Sequence, residues 1–111
     1  MQAYLCIPNE QPRPVATDGL CLPHPESGYA QLTDREAELL GCSRQMVDIL
    51  ASGRTHVAYS IFDYEGGEAN LAAMQLLAGK WGWEFDMNEE PEVLKGPVLI
   101  VFEETADAVP A

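Results

Sequence analysis

Three features of this sequence predict an α+β fold, a single domain whose mixed, mainly antiparallel sheet carries helices on one side. Apolar residues alternate at period two in 2–7, 56–62 and 83–87, the pattern of half-buried strands. They recur at helical spacing in 33–50 and 68–81. The run 98–102 is apolar on both faces, as a central strand is. The expected order is β-loop-α-β-α-β-β. It gives a sheet of about four strands, near the usual size, with two helices on one face.

The first strand, 2–7, ends at Pro8, because proline has no N–H for a sheet ladder. Residues 8–28 then hold Pro8, Pro12, Pro14, Pro23 and Pro25 with Gly19 and Gly28, a long irregular loop. Leu20, Cys21 and Leu22 are the residues expected to pin its middle to the core.

Thr33, Asp34, Arg35 and Glu36 spell a capping box, so the first helix starts at Thr33. Leu39, Leu40, Met46, Val47 and Leu50 then share one helical face. Gly41 either softens this helix or splits it, with Ser43 capping the second piece. Gly53 suits its end. In the next strand Val57, Tyr59 and Ile61 share a face. A turn at 63–67 leads into a second helix, 68–81, with Leu71, Met74, Leu77, Ala78 and Trp81 as its buried stripe and Gly82 closing it. Trp83, Phe85 and Met87 alternate with Glu84 and Asp86, giving a strand with a negative face. The loop 88–96 is acidic, and 98–102 is the central strand. Residues 1–104 form the domain and 105–111 a flexible tail.

Charge carries the functional reading. The 111 residues hold 18 acidic and 6 basic side chains, a net charge of −12. Residues 1–54 contribute −3 (7 acids, 4 bases), and residues 55–111 contribute −9 (11 acids, 2 bases). A field of that sign repels nucleic acid and anionic membrane and attracts basic protein surfaces. The expected partner is a basic protein or a nucleoprotein complex, with no direct nucleic-acid binding and no membrane contact. The candidate partner-binding residues are Asp63, Tyr64, Glu65 and Glu68 at the second-helix entry, and Glu84, Asp86, Glu89, Glu90 and Glu92 beyond it. Glu103, Glu104 and Asp107 extend the set. Carboxylates repeated along a rigid edge imitate the phosphate spacing of a nucleic acid, and a groove built for phosphate accepts them. Tyr64, in a glycine-rich turn, is the expected aromatic anchor.

Other chemistry is poorly served. Gly66 and Gly67 precede a helix, but Asp63, Glu65 and Glu68 around them oppose phosphate. No dinucleotide or Walker motif is present. Asp86, Asn88 and Glu90 begin like an EF-hand, yet Pro91 and Pro97 occupy its glycine and glutamate positions. Cys21 and His24, with Cys6 and Cys42, are the residues from which a zinc site or a small enzyme centre would be built, though only one close pair exists among them. The negative field also disfavours a reactive thiolate. The expectation is a non-enzyme with no cofactor and no metal. The three cysteines have no framework spacing, 1–6 lacks the basic start of a signal peptide, and a reducing cytoplasm follows as the expected location.

Residues 32–40 resemble the opening of the LuxR-type helix-turn-helix, but a capping box followed by leucines accounts for all nine residues, and a strand stands where the recognition helix belongs. In size and charge the chain resembles the anti-defence inhibitors of phages and mobile elements, anti-CRISPR proteins and DNA mimics among them. That resemblance implies an inhibitor docking on a nucleic-acid-handling partner and assigns no residue. An immunity protein or antitoxin against a basic toxin is the alternative of the same chemistry.

Overall fold

Val98–Phe102 lies in the middle of the sheet, where an uninterrupted apolar run belongs, and all five of its residues are buried. The computed structural model describes residues 1–24, 26–27, 29–52, 55–62, 68–83 and 94–103. Its elements are β1 (Gln2–Cys6), β2 (Arg13–Pro14), α1 (Asp34–Leu40), a 3₁₀ turn (Arg44–Met46), β3 (Val47–Ser52), β4 (His56–Ile61), α2 (Leu71–Trp81) and β5 (Val98–Phe102). The five strands stand in the order β2-β1-β5-β4-β3, every neighbouring pair antiparallel. The α+β class is as expected. The sheet has one strand more than expected and no parallel pair among the described strands.

The helices lie on opposite faces of the sheet, not on one. Ala3, Leu5, Val57, Tyr59, Leu99 and Val101 pack with Leu40 of α1 and Leu20 of the long loop. Cys6, Ala58, Val98, Ile100 and Phe102 pack with Ala73 and Leu77 of α2. The reason is in β5 itself. A strand apolar on both faces needs cover on both, and helices on one side would leave Val98, Ile100 and Phe102 in water.

The expected helix through residue 50 stops at Leu40. Gly41 takes a left-handed backbone (φ 80°), and its N–H returns to the Ala37 carbonyl at 2.8 Å. Glycine meets that geometry without steric cost. After the 3₁₀ turn the chain enters β3, where Val47 and Ile49 lie opposite Ile61 and Tyr59. Both are β-branched and pair better on a pleated surface than in a helix. A bulge between Ile49 and Ala51 shifts the register.

The capping box is present as expected. Thr33 Oγ1 accepts from the Arg35 N–H at 3.3 Å, and Glu36 Oε1 accepts from the Thr33 N–H at 3.1 Å. The long loop is tied down. Pro8 and Asn9 make a type II turn closed by Glu10 N–H to the Ile7 carbonyl at 3.0 Å, with Asn9 at φ 66°. β2 pairs with β1, Leu20 is buried in the core with Leu22 against it, and the Thr33 hydroxyl donates to the Gly19 carbonyl at 2.8 Å.

Helix α2 begins later than expected. Asn70 is its cap, its side-chain oxygen accepting from Ala73 N–H at 3.2 Å. The buried stripe is Ala73, Met74 and Leu77, while Leu71 is 51% exposed and Ala78 is also exposed. Gly82 closes the helix at φ 70°. The expected strand at 83–87 lies outside the described residues after Trp83, and Trp83 itself is not in a strand. The turn at 63–67 and the tail from 104 onward also lie outside them.

Candidate functional site

Of the nine candidate partner-binding residues, Glu68 is described. Asp63, Tyr64, Glu65, Glu84, Asp86, Glu89, Glu90 and Glu92 lie outside the described residues. Glu68 is exposed and precedes the bridge between Ala69 and Lys95. Its carboxylate accepts from the Asn9 side-chain amide, and its carbonyl from Gly96 N–H at 3.3 Å. Glu68 therefore stands beside the approach to β5. Glu103, also exposed, follows the far end of that strand, its N–H donating to the Thr55 carbonyl at 2.8 Å. These two acids mark opposite ends of β5 and do not share one spot.

The three described arginines of the first half are already engaged. Arg13 pairs with Glu10 at 3.5 Å, Arg35 with Glu38 at 3.0 Å and Arg44 with Asp34 at 3.3 Å. All three pairs are at the surface, where each contributes little to stability. They do neutralise local charge, so the excess of −9 carried by residues 55–111 dominates the long-range field.

The cysteine site does not assemble. Cys6 points into the α2 side of the sheet, whereas Cys42 packs against the α1 side. His24 is exposed, and its Nδ1 accepts from Glu26 N–H at 3.3 Å. Among the described residues no three His, Cys, Asp or Glu side chains stand close enough to hold a metal ion. Burial pushes the Cys6 thiol up to about 11 and raises the Cys42 thiol, which disfavours the thiolate at both. One groove lies on the α2 side of the molecule. It is an open depression of about 560 Å³ between the Pro8–Asn9 turn and α2, lined by Asn9, Gln11, Pro12, Gln75 and Leu76 among others.

Sequence reasoning missed an aromatic cluster at the α2 C-terminus. His56 stacks on Trp81 with ring centroids 4.2 Å apart and meets Trp83 at 6.0 Å. Trp81 meets Phe102 edge-on at 5.5 Å, Phe102 stacks on Tyr4 at 5.7 Å, and Lys80 Nζ lies 4.9 Å from the Phe102 ring centre. The register His56↔Phe102 assembles it, and no local signal in the chain predicts that pairing. Burial lowers the His56 pKa, and Nδ1 is buried without a hydrogen-bond partner among the described residues.

A second buried group sits on the other face. Glu36 is fully buried, held by Thr33. The Tyr59 hydroxyl lies against its carboxylate without a well-formed hydrogen bond. Burial raises the Tyr59 pKa, the negative charge of Glu36 adds to the shift, and Cys21 adds a smaller part.

Comparison with protein-family models, with curated proteins and with solved structures yields no match for this chain. No helix among the described residues is long and apolar enough to cross a membrane.

Proposed function

We propose that this protein is a binding inhibitor, docking carboxylates of its C-terminal half on a basic surface of a nucleic-acid-handling partner and blocking that surface. The observation that carries the reading is the charge distribution: −12 overall, of which −9 falls in residues 55–111. The ion pairs of Arg13, Arg35 and Arg44 support it, since they cancel charge where the excess is small. Counterions leave both surfaces on docking, so affinity falls steeply with salt, as it does for nucleic acid on the same groove. The fold supplies a rigid support, a sheet covered on both faces.

The test is a pull-down of basic protein on immobilised chain between about 0.05 M and about 0.5 M salt. The triple variant Glu89→Lys, Glu90→Lys, Glu92→Lys is run alongside. Expected are capture at low salt, release at high salt, loss of capture by the variant with an unchanged circular dichroism spectrum, and displacement by short duplex DNA. Capture that DNA does not displace points to a toxin-type partner instead. Unaltered affinity in the triple variant removes this segment from the interface.

A further inference from the structure

The two edges of the sheet are built differently. β2 is a two-residue edge, and prolines at 12 and 14 remove backbone donors from it. Such an edge resists pairing with another chain. β3, the outer strand at the other side among the described strands, has six residues and no proline.

Its backbone is set for pairing. Phe62 N–H donates to the Met46 carbonyl at 2.6 Å, which makes Met46–Phe62 a hydrogen-bonded pair. Bonded and non-bonded pairs alternate in an antiparallel ladder, so Asp48–Ser60 is the next bonded pair. Val47 and Ile49 then turn their peptide groups away from β4. The Val47 N–H is taken by the Arg44 carbonyl, which leaves the Ile49 N–H and C=O and the Val47 C=O facing outward. The side chains agree. Ile49 is 42% exposed on the α1 face of this rim, and Met46 and Phe62 are 37% and 57% exposed on the α2 face. An incoming strand, whose side chains alternate between faces, meets Ile49 with one set and Asp48, flanked by Met46 and Phe62, with the other.

We propose that the β3 edge is a docking site that accepts an extended, lysine- or arginine-bearing segment of the partner as a sixth strand. The basic character of the occupant rests on the function proposed above and on one local feature. Asp48, mid-strand, has no ion-pair partner among the described residues, and the nearby Arg44 is held by Asp34 and the Leu32 carbonyl. A basic side chain opposite or diagonal to Asp48 is favourable, whereas a second copy of this chain adds another −12 and sets like charges against each other. Main-chain bonds supply the affinity, and the alternating pattern supplies the selectivity.

The test titrates the full chain with fluorescein-labelled peptides. One alternates basic and apolar residues (Lys-Val-Arg-Ile-Lys-Val). The second is the same peptide N-methylated at alternate amides, and the third carries Glu in place of each base. The first peptide is expected to bind saturably and to slow hydrogen exchange at the Ile49 amide. The other two, and the variant Ile49→Lys with the first, are expected to bind at least about tenfold more weakly. Equal binding of the N-methylated peptide to the native chain overturns the proposal whether or not the variant folds. So does salt-sensitive binding that Ile49→Lys leaves unchanged, and that result leaves the basic-partner reading standing. Failure of every basic ligand removes both. Self-association of the chain that Ile49→Lys abolishes gives the edge to a second copy and also overturns the proposal.

Discussion

The side-chain amide of Asn70 donates to the carbonyl of Cys6 at 2.8 Å, joining residues 64 positions apart. The same nitrogen donates to the Gly96 carbonyl at 2.7 Å, and the Asn70 backbone N–H to the Leu94 carbonyl at 2.7 Å. One buried side chain thus ties the end of β1, the start of α2 and the approach to β5. Asn70→Ala orphans two buried carbonyls and removes a cap. The expected loss is about 2–4 kcal/mol in urea unfolding. Asn70→Asp keeps the cap but cannot donate, so it is expected to lose nearly as much. An aspartate variant as stable as the native chain would mean that the cap alone matters.

Leu99 is fully buried at the centre of the sheet, between Leu5 of β1 and Tyr59 of β4. Leu99→Ala leaves a cavity that two flanking strands cannot close, and is expected to cost about 2–5 kcal/mol. A thermal midpoint that does not move contradicts the central placement of β5.

His56 makes stability depend on pH. Burial holds it below the ordinary imidazole range, so the unfolded chain takes the proton first as pH falls. Its contribution is fully present above the unfolded pKa of about 6.5 and is lost as pH falls from there through the folded value. The groups around it act in two directions. The stacked face of Trp81 favours a cation, while burial opposes one and sets the direction of the shift. Unfolding midpoints of the native chain and of His56→Gln, measured between about pH 8 and about pH 5, should diverge, the native chain losing more. Parallel pH profiles exclude His56 as the source.

Tyr59 carries a buried hydroxyl that makes no well-formed hydrogen bond among the described residues. Tyr59→Phe keeps the ring in place and removes that oxygen, so it is expected to leave stability unchanged or raise it by about 1 kcal/mol. A loss above about 1 kcal/mol identifies a working bond to Glu36.

Elements whose signal is local were legible in the chain. The capping box at Thr33–Glu36, the left-handed Gly82, the pinning Leu20 and the apolar run of β5 all stand as read. Elements whose identity depends on distant partners were not. Val47 and Leu50 fit a helical stripe as well as a strand, and the choice was made by β4 lying alongside. Charge singles out Glu68 as a candidate, but its bond to Asn9 depends on a turn 59 positions earlier. The His56–Trp81 stack had no sequence signal, because it is created by the register of β4 against β5 and the packing of α2 on that face.

By itself, the sequence determined the α+β class, the strand at the centre, the start of α1 and a field of −12 weighted to the second half, because periodicity, capping and charge are properties of neighbours along the chain. Only the tertiary structure decided that the two helices take opposite faces and that, among the described strands, β2 with its prolines and the proline-free 47–52 are the two outer ones. Those outcomes follow from burying both faces of β5 at once, a condition that no single segment expresses.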